Sequence, residues 1–282
     1  MSITVARDKY IIPHISKLWY IYLMEKSTKP PKAPKNPKTK KTTKTSLKTR
    51  TQRVKARFLS SYYGNPTRDM KVICITGSTG KSTVAHFVHQ ILTASGKQTA
   101  IFASEKPIKT AMLHKFFSDA WKAGSSYVVV TSPATSLKNN VFYGLPIHVA
   151  ALTDFVPASL SDLNPEEYLK EKSTLFNMKP AIVVLNQDDA YYQEFSKFSG
   201  TESTLTYGSD FSCNIRIDNT KLYKKGIEAN LAYGSSRFTV ASFLTGEPIA
   251  SYMACASAIA IALGISTDTI ADGIANYNPE TK

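Results

Sequence analysis

Residues 71–96 read KVICITGSTGKSTVAHFVHQILTASG, and this stretch decides the fold class of the chain. Its first part is β-branched and aliphatic, which predicts a buried strand. Gly77 and Gly80 then predict a loop. Apolar residues at helical spacing after Lys81 predict a helix that ends at Gly96. The stretch is therefore a strand, a glycine loop and a helix, in the order that places a helix N-terminus at an anion.

The loop has the residue types of a phosphate cradle. Glycines let backbone N–H groups surround an anion at the helix N-terminus. Lys81 can reach the β- and γ-phosphates of a nucleotide, and the hydroxyl of Ser82 can ligate Mg²⁺. The full pattern has a further glycine where this chain has Ile75, and the alternative of an ordinary turn does not explain the lysine. The predicted nucleotide-binding residues here are Gly77, Ser78, Thr79, Gly80, Lys81, Ser82 and Thr83.

The region around this loop alternates strands with helices. Strands are predicted at residues 98–104, 126–132, 148–154, 181–189, 203–210 and 238–244, with less regular structure between the last two. Helices are predicted at residues 108–124, from Pro165 onward and at residues 248–264. Alternation of this kind predicts an α/β fold with a mostly parallel sheet flanked by helices.

The size and composition fit one large domain with appendages. The chain has 282 residues, of which 43% are hydrophobic, enough to bury a core. Its cysteines (Cys74, Cys213 and Cys255) lie far apart and form no C-x-x-C pair. The spacing supports neither a disulfide framework nor a zinc site, and it favours a reducing compartment.

The net charge of +14 is concentrated in residues 26–57. This segment contains 13 Lys or Arg residues and no Asp or Glu, so the rest of the chain is near neutral. It is rich in Lys, Pro and Thr, which predicts a disordered basic linker. Without interleaved aromatic residues it offers only non-specific attraction to nucleic acid, and the near-neutral remainder argues against a nucleic-acid partner.

Residues 1–25 contain the apolar stretch YIIPHISKLWYIYLM, at positions 10–24. It is shorter than the roughly 20 residues that a membrane span needs, and it lacks the cleavage site of a secretory signal. One interpretation is an amphipathic helix that packs on the domain. The other is an interfacial helix, drawn to anionic lipid with the help of the basic linker.

Several stretches of the chain resemble the Mur ligases, the ATP-dependent amide ligases of peptidoglycan synthesis. The stretches YYGNPTRDMKVICITGSTGKSTVAHFV, VVVTSPATSL, ALTDFVPASLSDLNPEEYLKEKSTLF, AIVVLNQDDAYYQEF and TYGSD occur in the order of that family. The chain is most similar to the UDP-N-acetylmuramyl-tripeptide synthetases. The resemblance covers roughly residues 62–279, so that residues 62–282 are expected to form the family's central ATP-binding domain.

The resemblance implies roles for residues outside the loop. Lys172 falls on the lysine that this family carbamylates to help hold a second Mg²⁺, although a solvated helical lysine is the alternative. Asn186 and Asp189 would bind the nucleotide at the end of a strand, or else form only a strand-ending turn. Lys81 and Lys172 are the implied catalytic residues, and Ser82 and the carbamylated Lys172 the implied metal ligands. The implied cofactors are ATP and Mg²⁺.

The chain departs from the family at its metal ligands. Thr131 stands at the position of a metal-binding glutamate, and Pro157, Ala158 and Ser159 are nearest to the missing Asp-His pair. Asp154 is a candidate substitute. Thr and Ser supply little of the charge that a divalent cation needs.

The expected activity is formation of an acyl phosphate from a substrate carboxylate and ATP, followed by attack of an amine. The substrates would be a UDP-muramyl-peptide and an amino acid, in the cytoplasm or at the inner face of the membrane. The family's N-terminal and C-terminal domains are not recognisable here, so the chain is either a fragment of such a ligase or one that a partner chain completes, and it is not expected to complete ligation alone. The alternative is a degenerate, non-catalytic nucleotide-binding module, tethered to a membrane or an anionic partner by its basic tail.

Overall fold

The computed structural model describes residues 42–156 and 165–278. The chain divides into two units, Met1–Thr43 and Lys44–Lys282, and almost all described residues belong to the second. The described strands are Lys71–Thr76 (β1), Thr99–Phe102 (β2), Tyr127–Thr131 (β3), Ile147–Leu152 (β4), Ile182–Asn186 (β5), Ser203–Gly208 (β6), Ile215–Tyr223 (β7), Gly226–Tyr233 (β8) and Ser236–Ser242 (β9). The described helices are Thr42–Tyr62 (α1), Lys81–Ala94 (α2), Thr110–Lys122 (α3), Ala134–Lys138 (α4), Pro165–Phe176 (α5), Tyr192–Phe195 (α6), Pro248–Ala262 (α7) and Thr267–Ala275 (α8).

The strands form one mixed sheet in the order β2-β3-β1-β4-β5-β6-β7-β8-β9. Neighbours from β2 to β7 pair in parallel, whereas β8 pairs antiparallel with both β7 and β9. The predicted α/β fold with a mostly parallel sheet is therefore confirmed. Strand β1 lies between β3 and β4. After β1 the chain forms β2 and β3 on one side of β1, and it then crosses to form β4 and β5 on the other side, so the strand order reverses its direction at β1. Open α/β sheets bind ligands at such a switch point, beyond the carboxyl ends of the strands.

Two hydrophobic layers cover the two faces of the sheet. Along β1, Ile73 and Ile75 point into the layer formed by α2, α7 and α8, whereas Val72 and Cys74 point into the layer formed by α3, α4 and α5. Burial on both faces explains why β1 reads as a continuous apolar run. Each large side chain that is fully buried in these layers stabilises the fold by roughly 2 kcal/mol.

The structure corrects the prediction of less regular structure between residues 210 and 238. Strands β7 and β8 form an antiparallel hairpin there, and β9 extends it. Strand β7 is exposed along most of its length, so its sequence, IRIDNTKLY, lacks the apolar run of the buried strands. Its pairing with β8, and not its own pattern, makes it a strand.

The structure also corrects the prediction of a disordered linker for residues 42–57, because α1 includes them. This helix contacts the rest of its unit: Arg53 Nε donates to Asn140 Oδ1 at 3.2 Å, and the guanidinium groups of Arg53 and Arg57 lie 4.8 and 5.2 Å from the ring centroid of Tyr143. Ala56 is fully buried. Tertiary contacts thus stabilise a segment whose composition alone predicted disorder.

The predicted helix within residues 1–25 and the linker at residues 26–41 lie outside the described residues. Among the helices of the described ranges, none is both long enough and apolar enough to cross a membrane.

Candidate functional site

The glycine loop joins the carboxyl end of β1 to the start of α2. Gly80 has a φ of 72°, in the left-handed region that costs a residue with a Cβ about 1–2 kcal/mol. A Cβ at Gly80 would also lie 2.2 Å from Cε1 of Tyr252 in α7. A Cβ at Gly77 would lie 1.8 Å from Oγ1 of Thr153, which follows β4. The neighbouring elements therefore enclose the loop so tightly that only glycine fits at both positions.

Asp154 holds the first half of this loop. Its Oδ1 accepts hydrogen bonds from the backbone N–H groups of Ser78 at 2.7 Å and Thr79 at 2.8 Å, and its Oδ2 accepts one from Thr79 Oγ1 at 2.6 Å. The first turn of α2, which contains Ser82 and Thr83, follows Gly80, which has no side chain to cap it. The N–H groups of this turn have no partners within the helix, and the carboxylate of Glu105 accepts a hydrogen bond from that of Ser82, as an anion at a helix N-terminus would.

Lys81 and Ser82 both contact Glu105, which lies in the loop after β2. Lys81 is buried, and its Nζ lies 3.0 Å from Glu105 Oε2 and 3.1 Å from the carbonyl oxygen of Ser78. Ser82 Oγ donates to Glu105 Oε1 at 2.5 Å. Burial opposes ionisation of Glu105, but the hydrogen bonds from Ser82 and Lys81 outweigh it and lower the pKa of the carboxyl group. An ionised carboxylate therefore contacts both side chains that the sequence assigned to phosphate and metal.

Thr131 positions the loop that carries Glu105. The side chain of Thr131 is fully buried, and its Oγ1 accepts a hydrogen bond from the N–H of Ser104 at 2.7 Å and donates one to the carbonyl oxygen of Ser104 at 2.9 Å. Sequence reasoning found Thr131 only as a missing metal ligand, and it missed Glu105. The available signal was an acidic residue directly after a predicted strand, at the edge where parallel strands place their ligands.

Lys172 is buried beside the loop, with no hydrogen-bond partner for its Nζ among the described residues. The Nζ lies 4.6 Å from the ring centroid of Tyr168, whose hydroxyl oxygen is 3.3 Å from Oγ of Ser78. Burial first, and then the charge of Lys81, lower the pKa of Lys172 from 10.5 to about 7, although nearby carboxylates act in the opposite direction. The alternative of a solvated lysine is therefore wrong. An amine in this state is substantially neutral near pH 7 and nucleophilic.

Asn186 and Asp189 lie at the carboxyl end of β5, as predicted, and their side chains bind the backbone of neighbouring residues. Asn186 Nδ2 donates to the carbonyl oxygen of Thr153 at 3.1 Å. Asp189 accepts hydrogen bonds from the N–H groups of Phe155 at 2.5 Å and Tyr191 at 2.8 Å. Burial raises the pKa of Asp189 despite these hydrogen bonds. Both side chains bind the backbone of the segment after β4, and their contact with a nucleotide stays a prediction.

The described residues supply a small set of possible metal ligands. Within residues 42–156 and 165–278, no three His, Cys, Asp or Glu side chains converge on a position for a metal ion. Mg²⁺ is commonly held by one or two carboxylates together with substrate phosphates and waters, and Ser82 with Glu105 fits that pattern. The family's Asp-His pair is missing from this chain, and the residues nearest to its position are Pro157, Ala158 and Ser159. These three residues lie outside the described ranges.

Comparison with known proteins assigns the region around this site. Residues 75–260, more than half of the chain, match the family described as the Mur ligase middle domain. Curated relatives include the UDP-N-acetylmuramoyl-L-alanyl-D-glutamate--2,6-diaminopimelate ligases of Solibacter usitatus and Bacillus licheniformis. The first is 27% identical and covers 77% of this chain and 47% of its own length. The second is 28% identical and covers 79% of this chain and 50% of its own length. The chain therefore spans about half the length of the curated relatives it matches.

Solved structures share the fold. A UDP-N-acetylmuramoyl-L-alanyl-D-glutamate--2,6-diaminopimelate ligase superposes with a TM-score of 0.72 at 19% identity, over 81% of this chain and 50% of its own. MurF ligase from Thermotoga maritima in complex with ADP gives a TM-score of 0.60 at 17% identity, over 82% and 52%. A folylpolyglutamate synthase from Mycobacterium tuberculosis, complexed with ADP and AMPPCP, gives 0.63 at 14% identity, over 80% and 63%.

Proposed function

This chain belongs to the Mur ligase middle domain family, and from that membership we propose that it is the ATP-binding domain of an ATP-dependent amide ligase of peptidoglycan precursor synthesis. In this reaction a substrate carboxylate attacks the γ-phosphate of ATP and releases ADP. An amine then attacks the acyl phosphate and releases phosphate. The curated relatives, which are named as ligases, favour this proposal over a non-catalytic nucleotide-binding module.

The glycine loop that leads into the first turn of α2, with the buried Lys81 at the start of that turn, is the observation that carries the proposal. The N–H groups at the start of α2 would bind phosphate oxygens, and Lys81 would exchange its contact with Glu105 for the β- and γ-phosphates. The positive charge would be held in a rigid and partly dehydrated loop, where it stabilises the charge that develops on the transferred phosphoryl group.

Lys172 is proposed as the lysine that becomes carbamylated. Its neutral amine would add to CO₂, forming an N–C bond and releasing a proton, which gives a buried carbamate. The buried Nζ, which has no partner in the described part of the chain, fits this modification because the carbamate oxygens would replace an unpartnered amine with groups able to bind a cation. Ser82 and the modified Lys172 are the residues that would hold Mg²⁺. When bound, Mg²⁺ would neutralise charge on the phosphates.

The substrates are proposed to be a UDP-muramyl-peptide and an amino acid, and the location the cytoplasm. Because the chain spans about half the length of its curated relatives, a further domain is expected to bind the amino acid and to close the site. A partner chain is one source of such a domain. Peripheral contact with the membrane remains a hypothesis about residues 1–57.

Calorimetry of ATP binding tests the proposal, with and without Mg²⁺. We expect the wild type to bind ATP and Lys81→Ala to bind it at least tenfold more weakly, because a hydrogen bond to a charged group contributes about 1.5–3 kcal/mol. Lys97→Ala, at an exposed position after α2, is the control and should bind like the wild type. Absence of binding by the wild type in both conditions would refute the proposed function.

A further inference from the structure

Glu105 lies in none of the stretches on which the resemblance to the family rests, yet it lies at the centre of the candidate site. One carboxylate oxygen contacts Nζ of Lys81 at 3.0 Å, and the other contacts Oγ of Ser82 at 2.5 Å. These are the two side chains that the glycine loop directs toward phosphate and metal. The rest of the carboxylate faces solvent, since 59% of the Glu105 side chain is exposed.

Thr131 gives Glu105 a defined position. Both hydrogen-bonding capacities of its hydroxyl are used by the backbone of Ser104, the residue before Glu105. Thr131 is buried and uncharged, so it cannot itself supply the oxygen charge that a divalent cation requires. The side chain at position 131 thus positions a loop, and the loop brings a carboxylate to Ser82 instead.

We infer that Glu105 is the carboxylate ligand of the divalent cation that accompanies the nucleotide, paired with the hydroxyl of Ser82. The inference rests on the proposed function, because the remaining ligands would be phosphate oxygens and waters. Binding of the nucleotide would move Lys81 from the carboxylate to phosphate. Glu105 would exchange the ammonium for the cation and keep its place beside Ser82.

A competing role for Glu105 makes a different prediction. A carboxylate that only neutralises Lys81 would oppose phosphate binding equally with and without the cation. Its removal would then strengthen binding of ATP and of Mg-ATP by the same factor. A metal ligand behaves differently, because its removal relieves repulsion of bare ATP and weakens the complex with Mg-ATP. The ratio of the two dissociation constants separates these roles.

The test measures ATP binding by calorimetry, with Mg²⁺ and with EDTA, for the wild type, Glu105→Gln, Glu105→Asp and Glu202→Gln. Glu202 is exposed directly before β6, at the amino-terminal end of the parallel strands, whereas Glu105 follows the carboxyl end of β2; its variant removes the same charge. A second measurement follows Mn²⁺ retained by the protein in the presence of ADP, using electron paramagnetic resonance. This readout detects the cation directly and requires no catalytic turnover.

We expect the Mg²⁺-dependent gain in ATP affinity to fall about tenfold or more in Glu105→Gln, because loss of even an outer partner of a metal ligand commonly costs 10–100-fold. Mn²⁺ retention should fall in parallel. Glu105→Asp should keep part of the gain, and Glu202→Gln all of it. If the wild type binds ATP and the Mg²⁺-dependent gain in ATP affinity is unchanged in Glu105→Gln, the inference about Glu105 is overturned and the proposed function is not. A wild type that binds ATP in neither condition would overturn the proposed function and this inference together.

Discussion

Replacement of Lys172 by methionine should stabilise the protein more at neutral pH than at high pH. Methionine keeps the length of the buried side chain but removes its titratable amine. The folded chain lowers the pKa of Lys172 from 10.5 to about 7, mainly because burial disfavours the ammonium. At about 1.4 kcal/mol for each pKa unit, this corresponds to about 5 kcal/mol of stability that is absent at low pH.

The direction follows from proton linkage. Between pH 7 and 10.5 the unfolded chain holds the Lys172 proton and the folded chain releases it, so the stability of the wild type rises with pH in this window. The advantage of Lys172→Met should therefore decrease by about 3 kcal/mol between pH 7 and pH 9.5. Urea unfolding of both proteins across this range, in bicarbonate-free buffer, measures the difference.

Lys170→Met is the matched control, because Lys170 is exposed on the same helix and the variant makes the same replacement. The free energy of unfolding of Lys170→Met, relative to the wild type, should not change with pH. If the advantage of Lys172→Met is independent of pH, the buried amine is not neutralised by folding and the reasoning is refuted. Added bicarbonate should stabilise the wild type and leave Lys172→Met unaffected, because CO₂ would bind only the folded amine.

Three further predictions concern the loop, a buried histidine and α1. In urea denaturation, Gly80→Ala should lower the free energy of unfolding by more than Gly96→Ala does. Both positions have positive φ, but a Cβ at Gly96 meets no atom within 4 Å, whereas a Cβ at Gly80 meets Tyr252. Equal losses in the two variants would contradict the enclosure of the loop. Burial lowers the pKa of His114 to about 4, so the stability of the folded chain should fall as the pH drops from 6.5 toward 4. His114→Phe should reduce this loss of stability in acid titrations followed by circular dichroism. An unchanged loss would refute the role of His114. Trypsin should cleave α1 much faster in Ala56→Glu than in Lys55→Glu, because Ala56 is buried and Lys55 is exposed. Equal cleavage rates would show that α1 is not docked.

Local sequence was sufficient where a single element contains the whole signal. The strand, glycine loop and helix at residues 71–96 were predicted because the glycines, Lys81 and the apolar periods are contiguous. The same holds for β1, β3, β4 and β5, whose burial on both faces leaves continuous apolar runs. Prediction from local sequence failed for β7, which is largely exposed and becomes a strand only by pairing. It also failed for α1, whose basic composition does not indicate the contacts of its arginines with Tyr143.

The sequence by itself determined that a glycine loop joins a buried strand to a helix and that Lys81 and Ser82 begin that helix. Only the tertiary structure decided what surrounds them. Glu105 reaches Ser82 because parallel strands bring their carboxyl ends to one edge of the sheet, and Lys172 loses its charge because the folded chain removes it from water. Contact between distant segments and removal from water are both properties of the packed chain, and no local pattern of residues encodes either of them.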